Sequence, residues 1–206
     1  MLRRIVSTVA LGLLAAALAA TAASAAATGF SGQATAARAS VLGINLAFAD
    51  TGPLPASGGA RDASFVGVNL PGILTTGALN ASTSGRGNHS RSETSAANVS
   101  VLGNLIAATA VQSQAEATCQ GSEPQTSGSS TLANLVVAGQ PVAVVGSPVI
   151  TLPLLGITVA VNEQTSSTSG GHGDITVNAL HVTGPGIDIV VGSSHSDIDC
   201  KEPPAQ

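Results

Sequence analysis

The sequence predicts an antiparallel all-β domain, folded as a sandwich or a barrel-like closure. Three observations lead there. Apolar and polar residues alternate with period two over long stretches, as in strands buried on one face. Val and Ile concentrate in short runs, and β-branched side chains suit a pleated surface. Gly, Pro, Asn and Ser cluster between those runs at the spacing of successive turns. Composition removes two alternatives. Only 9% of the 206 residues are charged while 44% are hydrophobic. That opposes both a disordered chain, which is charged and poor in β-branched residues, and a coiled coil, which needs Glu, Lys and Leu at heptad spacing.

From the N-terminus, Met1-Leu2-Arg3-Arg4 gives a positive start and Ile5 to Ala20 an unbroken run of apolar or small residues. Ala23 and Ala25 then supply the small residues of a cleavage site, so residues 1–25 are expected to be a signal peptide and the mature chain to begin near Ala26. The alternative is a retained anchor, but a stable span needs about 20 apolar residues. Arg3-Arg4 lacks the surrounding consensus of a twin-arginine signal, which leaves the general secretory route. The stretch from Leu132 to Leu155 is broken by Asn134, Gly139, Gln140, Pro141, Gly146, Pro148 and Pro153. No transmembrane segment is therefore expected in the mature chain.

Residues 26–200 read as a single all-β domain, with 201–206 as a tail. Leu42, Ile44, Leu46 and Phe48 share one parity, and Thr51 to Arg61 reads as a loop. The polar tract from Asn80 to Ala97 is rich in Ser, Thr and Gly and is expected to be a mobile loop. Thr109, Val111, Ser113, Ala115, Ala117 and Cys119 fall on one face of the next strand, with Gln112, Gln114, Glu116 and Thr118 on the other. The Ala-rich start of that stretch, Leu105 to Ala110, has helical character but flows into the alternation and is kept as strand. Strands are expected over Leu132–Ala138, Pro141–Val145, Gly156–Val161, Asp174–Val182 and Ile187–Gly192. Turns fall at 138–141, 146–148, 169–173 and 184–186. One internal echo, Thr35 to Gly43 against Ser95 to Gly103, predicts two equivalent strands and makes a β-solenoid the alternative fold, although a solenoid needs at least three units.

Loss of Arg3 and Arg4 leaves five basic residues against eleven acidic, moving the net charge from −4 to −6. With no basic cluster and no stacking aromatics, nucleic acid is an unfavourable partner. Cys119 and Cys200 are the two cysteines. In an exported protein an even count reads as a disulfide, the competing readings being free thiols or an intermolecular bridge.

The order Cys119, Ser127-Gly128-Ser129-Ser130, Gly139-Gln140-Pro141-Val142, Val161-Asn162-Glu163-Gln164, Ile175-Thr176-Val177-Asn178-Ala179-Leu180-His181, then Asp188 to His195 and Cys200 resembles the choice-of-anchor P family of exported actinobacterial proteins. The resemblance covers about residues 95–200. It implies a secreted or surface-displayed domain with no established biochemical activity and no catalytic residues to carry over. Members often end in an anchoring tail. This chain departs from that pattern, since only Lys201 to Gln206 follow Cys200. Leu152-Pro153-Leu154-Leu155-Gly156 looks like a sorting signal but lacks its Thr and lies mid-chain.

Three sets of residues invite a chemical reading. Ser193, His195 and Asp197 share one face of a strand, the residue types of a hydrolase triad. Neighbours there are about 6.6 Å apart, whereas catalytic partners need hydrogen-bond reach of about 3 Å; a solvated face is expected. His172, Asp174, His181, Asp188, His195, Asp197 and Asp199 lie in the last 35 residues without a recognised ligand spacing. Calcium through Asp197 and Asp199 is slightly ahead of zinc, because carboxylate oxygens suit a hard cation, but no metal or cofactor is expected. Asn162-Glu163-Gln164 reads as a polar network or ligand lip, or more simply as the end of a strand. An internal isopeptide bond needs a core Lys, and Lys201 in the tail is the only one. The expected function is therefore non-enzymatic: an exported structural or surface-interaction β domain, secreted or associated with the cell surface. A small-ligand or metal-binding module is the alternative, ahead of a secreted hydrolase. A glycan is among the ligands such a module could take, but the missing Trp and Tyr count against carbohydrate, whose sugars usually stack on aromatic rings.

Overall fold

The computed structural model describes residues 27–200; the expected signal peptide and the tail lie outside them. The strands are β1 (Ala27–Phe30), β2 (Gln33–Val41), β3 (Ile44–Asp50), β4 (Gly59–Phe65), β5 (Val68–Leu70), β6 (Leu74–Thr76), β7 (Leu79–Arg86) and β8 (His89–Val101). They continue with β9 (Ile106–Gln120), β10 (Glu123–Ala133), β11 (Val136–Val137), β12 (Gln140–Pro141), β13 (Val149–Leu152), β14 (Ile157–Ser169), β15 (His172–Gly184) and β16 (Ile187–Cys200). One sheet runs β13-β14-β15-β16-β2-β3, with β1 beside β16. The other is built on β4-β7-β8-β9-β10, with β5–β6 continuing beside β8 and β11–β12 beside β9. Every pairing is antiparallel, and neither sheet closes into a barrel or coils into a solenoid. The fold is a sandwich. Facing strands stack in order: β3 on β4, β2 on β7 and β8, β16 on β8 and β9, β15 on β9 and β10.

The internal echo has a structural counterpart. Its two copies are β2 and β8, which pack against each other from opposite sheets. Each ends in a Leu-Gly turn with positive φ, Leu42-Gly43 at 48° and 85° and Leu102-Gly103 at 53° and 63°.

Three expectations need correction. The Asn80 to Ala97 tract is not a loop but most of the β7–β8 hairpin, paired from Leu79↔Ala96 to Arg86↔His89. Its serines and threonines alternate between buried and outward positions, and the buried Thr83, Ser92 and Thr94 find hydrogen-bond partners, while the buried hydroxyl of Ser90 has none among the described residues. Thr83 Oγ1 lies 2.7 Å from Ser92 Oγ, which donates to the carbonyl of His195 at 2.6 Å. Second, the Leu42-to-Phe48 alternation is an edge strand whose apolar side chains are largely outside: Ile44 is 66% and Leu46 38% exposed. Third, the run Leu132–Ala138 breaks at Asn134, whose φ of 51° leaves the strand region, and only Pro141 of the expected Pro141–Val145 strand is extended in a ladder. By contrast β15 and β16 contain their expected runs, β14 contains all of its own but Gly156, and all three outlast them, because polar stretches such as Thr165–Ser169 and Ser193–Ser196 keep the ladder going.

The core has two halves. Leu74, Leu79, Val101, Ile106, Val111, Val159, Leu180, Val182 and Ile189 fill one with side chains at most 1% exposed. The other half is lined by hydroxyls. Thr94 Oγ1 lies 2.6 Å from Ser113 Oγ, which lies 2.6 Å from Ser194 Oγ in the opposite sheet. Ser196 Oγ donates to the carbonyl of Ala115 at 2.8 Å. Beyond them Cys119 of β9 and Cys200 of β16 form a disulfide between the sheets, with Cα atoms 5.5 Å apart. Phe30, Leu54, Ala117 and Ile198 pack around it.

Candidate functional site

The sequence-derived triad is not assembled. Ser193, His195 and Asp197 do share the outer face of β16, with Ser194, Ser196 and Ile198 buried behind them. Each is bound sideways to a neighbouring element instead of to the others. Ser193 Oγ donates to Asn178 Oδ1 at 2.8 Å, His195 Nδ1 lies 3.0 Å from Thr176 Oγ1, and Asp197 Oδ2 accepts from Ser31 Oγ at 2.9 Å.

The other two histidines of this sheet each sit between two carboxylates. His181 spans Glu163 and Asp188, with Nδ1 at 2.9 Å and Nε2 at 3.2 Å. His172 lies 2.8 Å from Asp199 through Nδ1 and 3.7 Å from Asp197 through Nε2. The arrangement uses both ring nitrogens on opposite sides, so the carboxylates do not converge on one point. Among the described residues no group of three or more His, Cys, Asp and Glu side chains is placed to hold a metal. Asn162-Glu163-Gln164 lies in the middle of β14 and does not end it. Asn162 Oδ1 accepts from Ser130 Oγ at 3.0 Å and from Gln164 Nε2 at 2.8 Å, tying β10 to β14.

These clusters make stability depend on pH. The Asn178 amide, and then His181, hold the Glu163 carboxyl below its ordinary range against the opposing effect of burial. Asp199 foremost, then the charges of Asp197 and Asp174, raise His172 although partial burial opposes them. A lowered carboxyl stabilises above its unfolded value and loses that contribution as pH falls through the folded one. A raised imidazole stabilises below its unfolded value and loses that contribution as pH rises through the folded one. Both are fully present only between about pH 4.5 and 6.5, the ordinary glutamate and histidine values. Tm is expected to peak in that window. In His172→Gln the decline on the alkaline side should flatten, as a pH series of thermal melts will read.

The most site-like concavity lies elsewhere, on the outer face of the second sheet. Antiparallel register lines up Asp62, Ser82, Glu93, Gln114 and Ser129 in a row across β4, β7, β8, β9 and β10. A second row of Ser64, Asn80, Ser95, Gln112 and Thr131 runs beside it. Together they line a trough of about 580 Å³. Period-two alternation aims them outward, because Ala81, Thr83, Ser92, Thr94, Val111 and Ser113 take the buried positions between them.

The trough is rich in uncommitted hydrogen-bonding groups. Asp62, Ser64, Ser82, Gln112, Ser129 and Thr131 make no side-chain hydrogen bond to other described residues. Arg91, just outside, is tied up by Glu93, by Glu116 at 3.0 Å and by Gln114 Oε1 at 3.1 Å, which leaves the Gln114 amide NH₂ free. Those acids raise the Arg91 guanidinium above its ordinary value, so it stays charged and engaged. Among the described residues, Asp62 and Glu93 are the only charged side chains lining the trough, and no aromatic lines it. It therefore repels anions, lacks a stacking platform and presents hydroxyls, amides and two carboxylates in a repeating pattern. Sequence reasoning missed it because two of its five strands fall largely in the tract read as a loop. The outward alternation of Gln112, Gln114 and Glu116 was the signal that pointed to this face.

Comparison with protein-family models, with curated proteins and with solved structures finds no match for the chain.

Proposed function

We propose that the chain is an exported, non-enzymatic surface-interaction domain that uses the trough to hold an uncharged, hydroxyl-rich ligand such as a neutral glycan. The observation that carries this reading is the pair of five-residue rows whose polar groups have few partners within the protein. A neutral polyol supplies donors and acceptors to such rows without bringing charge against Asp62 and Glu93, and it needs no aromatic ring when several hydrogen bonds act together. The disulfide favours export, since such bridges persist in oxidising compartments. The resemblance to the choice-of-anchor P family points to the same location. Affinity electrophoresis tests the reading. Neutral polysaccharides in the gel should retard the chain and polyanionic ones should not. Gln112→Ala with Gln114→Ala should weaken retardation about tenfold, the cost of one to two lost hydrogen bonds. Equal retardation of parent and variant, or none by any neutral polysaccharide, argues against the trough as the binding face.

A further inference from the structure

We infer that β3 is a self-association edge, through which two copies of this chain pair β3 against β3, antiparallel about a two-fold axis at Leu46. The free edge comes from the turn. Leu42 and Gly43 both have positive φ, 48° and 85°, the two-residue turn that makes Val41 and Ile44 a hydrogen-bonded pair. Alternation along the ladder makes Ala39↔Leu46 and Ala37↔Phe48 hydrogen-bonded too. Asn45 and Ala47 therefore aim their N–H and C=O groups away from β2. No strand lies beyond β3 in its sheet among the described residues, so those groups form a template for another strand.

The side chains on this flank are apolar. Ile44 is 66% exposed, Leu46 38%, and on the facing sheet Phe65 is 47% and Val66 94%. Phe48 and Phe65 touch across the two sheets with ring centroids 5.7 Å apart, so the patch is continuous. Native edges are usually guarded by a charge, a Pro or a bulge that bends the strand away. Here no charged residue stands between Arg38 and Asp50. The other exposed apolar edge of this sheet, at Val149, belongs to a strand of only four residues. The long edge strand β10 carries Ser and Thr instead.

The occupant follows from the pattern. Ile44-Asn45-Leu46-Ala47-Phe48 reads large, small or polar, large, small, large in both directions from Leu46. Antiparallel pairing about that centre sets Asn45 of one copy opposite Ala47 of the other, closing the free N–H and C=O groups. It also stacks Leu46 on Leu46 and Ile44 beside Phe48, the cross-strand apolar pairs that stabilise sheets. A surface that supplies its own complement is what a two-fold dimer requires. An anionic lipid surface fits less well, since binding there is driven by clustered Lys and Arg, and Arg38 on β2 with Arg61 on β4 makes no such cluster beside the strand.

Sedimentation equilibrium of the purified chain should show a monomer–dimer equilibrium. Leu46→Lys should weaken the dimer about thirtyfold or more, as a central interface residue does. Ala47→Pro should do the same by removing an outward N–H, a substitution an edge strand tolerates. Val149→Lys on the opposite edge should leave the dimer unchanged, and far-UV circular dichroism of each variant should match the parent. A parent that stays monomeric, or a dimer that survives both β3 substitutions, overturns the inference. So does a monomer that binds phosphatidylcholine–phosphatidylserine vesicles and loses that binding in Leu46→Lys, which would assign the patch to lipid.

Discussion

Cys119→Ala and Cys200→Ala are each expected to destabilise the domain by about 2–5 kcal/mol, the range for native disulfides in small exported domains. The bridge joins residues separated by 81 positions, and loops of that size gain about 4 kcal/mol in the chain-entropy model. Its position adds to the effect. Cys119 lies one residue before the end of β9 in one sheet and Cys200 ends β16 in the other. Between the small apolar cluster around the bridge and the Leu- and Val-filled half, the sheets meet through hydroxyls and alanines such as Ser113, Ala115, Ser194 and Ser196, which bury less apolar area. The double variant should cost little more than either single one, because each already breaks the same bond. Urea denaturation of the three variants reads this directly. A single variant within about 0.5 kcal/mol of the parent, the size of an ordinary surface substitution, would show that the hydroxyl-lined half holds without its staple.

Ser113→Ala is expected to cost about 1–3 kcal/mol, well above what loss of one small exposed group would do. Ser113 is 3% exposed and links Thr94, 5% exposed, to Ser194, fully buried, at 2.6 Å on each side. Removing its hydroxyl leaves two buried partners short of a hydrogen bond, and an unsatisfied buried group carries its full desolvation cost. Replacing all three together, Thr94→Val with Ser113→Ala and Ser194→Ala, removes donors and acceptors alike and should come out closer to the parent than Ser113→Ala does. Denaturant titration of the single and triple variants separates the cases. A triple variant as unstable as the sum of three single ones would mean that the hydroxyl chain stabilises by packing alone.

That hydroxyl chain also explains what the sequence hid. Asp174–Val182 and Ile187–Gly192 were legible because Ile and Val mark their buried faces. The β7–β8 hairpin was not, because its inward positions include Thr83, Ser90, Ser92 and Thr94. Periodicity of apolar residues is blind to a strand whose buried side is made of hydroxyls. The trough was lost with the hairpin. Even with every strand identified, Asp62, Ser82, Glu93, Gln114 and Ser129 are brought into one row only by register, and a slip of one residue would send each to the other face. The disulfide was legible for the opposite reason: two cysteines, each at the end of an alternating segment, leave one pairing to weigh within the chain. Ser193, His195 and Asp197 share one face of β16 as their parity predicts, and they bond to Asn178 and Thr176 of β15 and to Ser31 in the β1–β2 connection.

Where a ligand touches the sandwich is the most direct question to put to the trough. Amide chemical-shift mapping of the isotopically labelled chain, titrated with soluble fragments of neutral polysaccharide, answers it residue by residue. The expected result is a set of shifts confined to Asp62, Ser64, Ser82, Glu93, Gln112, Gln114, Ser129 and Thr131, saturating together and absent with polyanionic fragments. Shifts centred on His181, Ser193 and His195 of the opposite sheet, or stronger shifts with polyanions, would contradict it.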